Sequence, residues 1–289
     1  MWFIYALLGA VGKSYSGFFR KKIAKSVSSA MYIWVAYSLI LIVFTPFMFS
    51  RFPELKRAVL ELPIIVLGVV LSNLLATKLN MEALKREELS YTAPLNAMVP
   101  LFTLLIAGVF LNESPPRFGV IGVLAIVAGA YIVSIKPGRI HWYDPIKRLA
   151  TSAGAQLSIA VTLFYAINTV LIKVMTNDGF GSLTIFYLTT LIGWLFLIYV
   201  PILKHKELKA IERSDKLAIL GGGISSFASG YFHILATAST FTSYATSVRR
   251  LDALISILLG WRYLKETNIR IKLIGAGVMT SGTILLAVS

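Results

Sequence analysis

The sequence predicts an all-α integral membrane protein: ten transmembrane helices arranged as two inverted five-helix repeats. Three observations predict it. The chain is 57% hydrophobic and only 14% charged, against about 25% charged residues in soluble domains, and apolar runs near the length of a bilayer crossing recur from end to end. Residues 90–135 are read a second time at 243–288, with Ser90-Tyr91 falling on Ser243-Tyr244, Ile121-Gly122 on Ile274-Gly275, and Gly129 on Gly282. The basic residues, finally, gather in alternate loops.

Taken in order, the apolar runs are roughly 2–19, 30–49, 63–80, 90–111, 118–135, 154–174, 182–202, 217–239, 241–263 and 271–288. The first has no basic segment before Trp2-Phe3-Ile4 and carries Lys13 within it, so it reads as a retained helix rather than a signal peptide. The fourth holds Pro94 and Pro100, and the eighth holds Gly221-Gly222-Gly223 and Gly230; both are expected to loosen the backbone and serve as hinges or half-helix breaks. The fifth carries Gly119, Gly122, Ala125 and Gly129, and the tenth Gly275, Gly277 and Gly282. Small residues at this spacing predict packing seams. Glu113 and Glu266 each precede a span, where a carboxylate favours a helix N-terminus. The first repeat is assigned to 1–137, a linker to 138–152 with Trp142 and Tyr143 at headgroup level, and the second repeat to 153–289. No disulfide is available to a chain without Cys.

The net charge of +15 would suit a nucleic-acid binder, but its distribution argues for a membrane. Of 28 Lys and Arg, five (Lys13, Lys78, Lys173, Arg249, Arg250) lie within the runs. Of the remainder, 19 lie in loops 1–2, 3–4, 5–6, 7–8 and 9–10, and four (Arg51, Lys56, Arg57, Arg117) on the opposite side. This bias places the first set in the cytoplasm and both termini outside, in a multi-pass protein of the plasma (inner) membrane. Five spans per half is an odd number, so tandem halves must cross in opposite directions.

Ionisable groups at membrane depth are costly and are functional candidates. At 1.5 Å per residue, Lys13 lies about 17 Å into its helix and Arg249 and Arg250 about 12–15 Å into theirs, all near the midplane. Asp252 follows Arg249 by three residues, so an Arg249–Asp252 pair is expected, leaving Arg250 to face a central cavity. The face of the first helix around Lys13 is small (Ala6, Gly9, Ala10, Ser16, Gly17), which permits close packing and also leaves room for a ligand. Asn73, Asn96, Tyr165 and Asn168 are candidate cavity-lining groups, with interhelical hydrogen bonding the competing role. Lys78 and Lys173 read as snorkelling groups, and His233 as a packed, hydrogen-bonded histidine.

Catalytic patterns are missing. Gly12-Lys13-Ser14 resembles the end of a phosphate-binding loop, but Leu7 stands where that motif needs Gly. There is no His-Glu-x-x-His and no Gly-x-Ser-x-Gly. Neither enzyme activity, cofactor nor metal is expected.

The repeated Leu111-Asn112-Glu113 and Leu264-Lys265-Glu266, each followed by a glycine-rich span, resemble the EamA type of the drug/metabolite transporter superfamily across nearly the whole chain. The resemblance implies a secondary transporter working by alternating access, with spans 1, 3, 4, 6, 8 and 9 around the path and 5 and 10 peripheral. Members are generally drawn with both termini in the cytoplasm, and the charge count here departs from that. Ser247-Val248-Arg249-Arg250-Leu251 also resembles the basic dipeptide in span 9 of sugar-phosphate translocators, where a Lys-Arg pair helps hold phosphate. By that likeness Arg250 matches the Arg and Arg249 stands at the Lys.

The reading is a transporter of a small anionic metabolite with Arg250, Arg249, Lys13, Asp252, Asn73, Asn96, Tyr165 and Asn168 at the substrate site. The alternatives are an exporter of amino acids or amphipathic drugs on the same fold, and a membrane receptor or assembly subunit without transport. The expected partners are a small-molecule substrate, the lipid bilayer and, as an option, a second copy in a homodimer; nucleic acid is not expected. No residue stands out in the sequence as the carrier of a coupling proton.

Overall fold

The computed structural model describes residues 1–96, 98–112, 117–133, 150–265 and 269–288. All regular structure among them is helical. The first part contains α1 (Trp2–Ile23), α2 (Ser29–Met48) continued by a 3-10 turn at Phe49–Arg51, α3 (Phe52–Glu61), α4 (Pro63–Arg86), α5 (Leu89–Asn96), α6 (Val99–Phe110) and α7 (Arg117–Val133). The second contains α8 (Ala153–Asn177), α9 (Ser182–Phe196), the short α10 (Val200–Leu203) and α11 (His205–Ala210), α12 (Arg213–Ala238), α13 (Thr242–Arg249), α14 (Asp252–Leu264) and α15 (Ile269–Val288). Glu113, Glu266 and most of the linker, with Trp142 and Tyr143, lie outside the described residues. Ser152, the linker's last residue, accepts from Ala155 N–H at 3.4 Å as the N-cap of α8.

Five stretches are long and apolar enough to cross a membrane: Ser29–Glu61, Pro63–Arg86, Ala153–Asn177, Ser182–Leu203 and Asp215–Ala238. Val99–Phe110 and Gly119–Gly129 are shorter apolar helices. The first helix is less apolar because its inward face is polar. Gly9, Ala10, Lys13, Ser14, Ser16, Gly17 and Arg20 are buried, whereas Phe3, Ile4, Leu7, Leu8, Val11 and Tyr15 are exposed. An apolar exterior around a polar interior is what a lipid-facing helix requires.

Helix positions repeat at the sequence offset of 153: α2 and α9 begin at Ser29 and Ser182, α5 and α13 span Leu89–Asn96 and Thr242–Arg249, and α6 and α14 begin at Val99 and Asp252. Asn112 and Lys265, at the same offset, both adopt left-handed backbone, with φ of 52° and 55°. In the second case the Lys265 N–H bonds the Gly260 carbonyl and closes α14. Packing follows the same exchange. The pair α1–α12 becomes α8–α4 when the halves are swapped, while α7 lies along α15 and α2 along α9.

Glycines set the closest approaches. A Cβ on Gly129 would come within 2.4 Å of the Gly275 carbonyl oxygen, and one on Gly282 within 2.5 Å of that of Gly122. The expected seam between the fifth and tenth spans is therefore formed by glycine backbones in contact. A Cβ on Gly12 would lie 2.7 Å from Ser229 N, which explains how α1 and α12 come together.

Two breaks fall where the helices were read as continuous or differently broken. The fourth span is two helices, α5 and α6, with Pro94 inside α5 and Pro100 in the first turn of α6. The ninth span also divides, between Arg249 and Asp252, with no proline to mark it. The eighth, expected to break, runs without interruption as α12. Its glycines make room for rings instead: Gly221 meets Phe19, Gly222 meets Tyr32, and Gly230 meets Phe186 at 2.7 Å from a built Cβ. Residues 52–61, read as loop, form the amphipathic α3. Glu54 in its first turn accepts from Gly181 N–H and Thr184 Oγ1, both at 2.6 Å. The carboxylate thereby satisfies the N-terminus of α9.

Candidate functional site

Seven helices enclose a central cavity of ≈ 130 Å³. Its charged lining comes from α1 (Lys13, Arg20) and from the end of α13 (Arg249), with His233 from α12. Polar groups surround them: Ser16, Tyr32, Tyr37, Asn73, Tyr165, Asn168, Ser226 and Ser229. Ile40, Val69, Ile172, Phe186 and Ile234 supply an apolar wall. That wall is continuous with a core cluster containing Met48, Leu55 and Ala58 toward α3. Spans 2 and 7, which the expected set did not include, line the cavity together with 1, 3, 6, 8 and 9. Span 4 supplies no lining residue among those described.

The break in span 9 separates the two arginines. Arg249 ends α13 and turns into the cavity, where one Nη donates to Ser229 Oγ at 2.6 Å and to the Ser229 carbonyl at 3.3 Å. Gly9 on α1 lies beside it, where a Cβ would sit 3.9 Å from Arg249 Nε, an ordinary contact. Arg250, in the turn, points away from the cavity. It is 2% exposed and donates to the Asn96 carbonyl at 3.0 Å and to the Thr246 carbonyl at 3.3 Å. Its guanidinium ties the break in span 9 to the end of α5 in span 4. Of the two arginines, Arg249 is therefore the one that faces the cavity.

Asp252 opens α14, where a carboxylate is favoured by the helix dipole. The expected Arg249–Asp252 pair does not form among the described residues. Asp252 Oδ2 instead stands 3.7 Å from Lys13 Nζ, both side chains being under 10% exposed. Splitting the helix removes the i,i+3 geometry that would have paired Asp252 with Arg249. Lys13 Nζ also lies over the Tyr165 ring, 4.8 Å from its centroid, a cation–π contact. Ser14 Oγ donates to the Asp252 backbone carbonyl at 2.9 Å and anchors α1 to the break.

Asn73 donates to Tyr37 Oη at 2.8 Å. Asn168 donates to the Val69 carbonyl at 2.9 Å and Ser72 Oγ at 3.1 Å, so it joins α8 to α4 while lining the cavity. Asn96 and Asp252 lie beside the cavity rather than in its lining. His233 Nε2 contacts Thr169 Oγ1 at 3.1 Å, in keeping with the hydrogen-bonded role expected of it. Lys173 is more than a snorkelling group: it donates to the Thr237 and Thr240 carbonyls, at 3.0 and 2.9 Å, at the end of α12.

The sequence reading missed Arg20. Counted as a loop residue, it is in α1, 6% exposed, and lines the cavity beside Tyr165. Its spacing of seven from Lys13 carried the signal, because i and i+7 share a helix face. Ser229 had no such signal; only the packing of α12 on α1 brings it to Arg249.

The electrostatic balance is lopsided. Lys13, Arg20, Arg249 and Arg250 are buried around one buried carboxylate, Asp252; Lys272, also buried, is paired with Glu88 at 2.8 Å. Lys13 Nζ, Arg249 Nε, His233 Nδ1 and Asp252 Oδ1 have no hydrogen-bond partner. Buried polar groups are normally satisfied, so unused donors around a cavity mark a place prepared for acceptors. Among the described residues no cluster of His, Cys, Asp and Glu could hold a metal ion.

Comparison with known proteins identifies the family. The model of the EamA-like transporter family matches residues 1–135 and again 152–288. The chain belongs to the EamA-like transporter family. Together with its apolar helices, this makes it a multi-pass membrane protein of a transporter family rather than of an enzyme family. Two curated relatives are more distant. Phosphoenolpyruvate/phosphate translocator 2, chloroplastic, of Arabidopsis thaliana is 25% identical over 48% of this chain and 34% of its own length. Phosphoenolpyruvate/phosphate translocator 1, chloroplastic, of Oryza sativa subsp. japonica is 24% identical over 70% of this chain and 50% of its own. The matched region thus spans half or less of each relative. A solved structure described as "Crystal structure of protein" shares the fold with a TM-score of 0.71 at 14% identity, covering 98% of this chain and 96% of that one.

Proposed function

We propose that this EamA-family protein is a secondary transporter of a small organic anion bearing a carboxylate or phosphate. Its ten spans would form two oppositely oriented halves that rock about the central cavity in alternating access. The observation that carries the anionic substrate is the pair of unused donors on residues that line one cavity, Lys13 Nζ and Arg249 Nε. An anion would satisfy these donors and offset the surplus of buried positive charge. Arg249 is the guanidinium placed to bind it through the planar, bidentate geometry that suits carboxylate and phosphate. Lys13 and Arg20 would supply further charge, and Tyr165 and Asn73 neutral contacts. The phosphate-translocator relatives support the same class.

The test is a thermal-stability screen of the detergent-purified protein against phosphoenolpyruvate, inorganic phosphate, simple carboxylates and cationic amphiphiles. A ligand that binds only the folded state raises apparent stability by about 2.7 kcal/mol at a hundred times its Kd. Stabilisation by an anion that is abolished in Arg249→Gln is the expected result. The apolar wall of Ile40, Ile172, Phe186 and Ile234 favours a second reading, transport of an amino acid or amphipathic drug. Stabilisation by cationic amphiphiles alone would replace the anion reading with that one.

A further inference from the structure

The structure assigns the coupling of this transporter to the Lys13–Asp252 pair: we propose that Lys13 is shared between Asp252 and the substrate anion, and that Asp252 takes up one proton when the anion draws Lys13 away. The inference rests on the anion reading above and adds the coupling ion to it.

The geometry is that of a switch with two destinations for one cation. Lys13 is a lining residue of the cavity, whereas Asp252 lies behind it in the break between α13 and α14. The contact between them is 3.7 Å, longer than a charge-assisted hydrogen bond. Lys13 Nζ has no hydrogen-bond partner, and its remaining contact is the Tyr165 ring. Asp252 Oδ1 is likewise unpartnered. The carboxylate is thus held by a single cation that also faces the substrate space.

The surrounding charges make the exchange specific. From α1, Lys13 faces Asp252 and Arg20 follows two turns along. From span 9 itself, Arg249 is committed to Ser229 and Arg250 to Asn96 and Thr246. From α12, His233 is on Thr169; α5 offers the Asn96 backbone and α8 the Tyr165 ring. Among the described residues, neither Arg249 nor Arg250 can replace Lys13 at Asp252 without breaking a hydrogen bond to another element or turn. When an anion takes Lys13, the buried carboxylate loses its ion-pair partner, and the incoming negative charge offsets the neighbouring Arg249 and Arg250, which favours the neutral form of Asp252. The step balances simply: Asp252 COO⁻ gains one H⁺ from the aqueous phase to become COOH, while the ammonium of Lys13 keeps its protons and changes partner. Release of the anion returns Lys13 and expels the proton. Anion and proton are then bound and released together.

Titration calorimetry of the purified protein with phosphoenolpyruvate tests this, run in two buffers of different ionisation enthalpy at a pH where the ligand is itself fully ionised. The expected result is uptake of about one proton per bound anion by the wild type and none by Asp252→Asn, which still binds. Lys13→Gln gives a second route: it removes the cation that is exchanged, so any residual anion binding proceeds without proton uptake. Binding by the wild type with no buffer dependence overturns the coupling and leaves the anion reading standing. Uptake that persists in Asp252→Asn or in Lys13→Gln overturns it as well. Absence of anion binding by the folded wild type overturns both.

Discussion

Two adjacent arginines have opposite orientations, and their substitution should have opposite consequences. Arg250 joins span 9 to the Asn96 carbonyl. Hydrogen bonds to charged groups contribute about 1.5–3 kcal/mol. Arg250→Gln is expected to lower the thermal midpoint without ligand while leaving the anion-induced shift in place. Arg249→Gln, which also gives up its bond to Ser229, is expected to abolish the anion-induced shift. Both are read in one scanning-fluorimetry experiment, and a loss of ligand response in Arg250→Gln alone would reassign the site. Sequence could place both cations near mid-membrane, because depth follows from counting residues. It could not say which one faces inward, because 3.6-residue periodicity holds only while the helix continues, and here it stops between them. Lys13 was legible for the opposite reason: α1 is continuous, and its small and polar face is the buried one. The same continuity made Arg20 readable, but its nearness to the run of Lys21 and Lys22 disguised it as part of a loop.

Among the elements, the glycine seam was the most legible feature, since three-to-four spacing of small residues has one physical use between helices in lipid. Its contacts are backbone to backbone, which makes substitution severe. Gly129→Val is expected to cost about 1–3 kcal/mol or more, the range for overpacking, because the built Cβ already overlaps the Gly275 oxygen at 2.4 Å. By contrast, no atom lies within 4 Å of a Cβ on Gly277, so Gly277→Ala should leave the midpoint unchanged. Thermal unfolding in detergent compares the two; equal losses would refute the seam. The breaks were only half legible. Pro94 and Pro100 announced one in span 4, but span 9 breaks without proline, and the glycines of α12 serve packing against Phe19, Tyr32 and Phe186. Proline removes a backbone donor wherever it stands, whereas glycine permits either a bend or a close neighbour, and only the neighbour decides which. The amphipathic α3 went unread because ten residues between two long apolar runs resemble a loop in hydropathy alone.

For the whole molecule the open quantity is orientation. An even number of spans and the charge bias would place both chain ends on the side opposite the basic loops, together with α3, whose Glu54 holds the start of α9. Two of the cations in the original count do not vote, since Arg20 and Lys272 are buried; the asymmetry survives their removal. Helix direction is consistent within the bundle: α1 meets α12 with Gly9 beside His233 and Gly12 beside Ser229, an antiparallel pairing. The absence of Cys from the chain makes single-cysteine labelling direct. Lys56 on α3 and Lys206 on α11 are both exposed and, in that orientation, would lie on opposite sides. A membrane-impermeant maleimide applied to intact cells should modify Lys56→Cys, and should reach Lys206→Cys only after permeabilisation. The reverse pattern would place the termini in the cytoplasm and make the basic loops an exception to the positive-inside bias. The Lys13–Asp252 exchange would then run with the same chemistry, but the proton would enter the cavity from the opposite side.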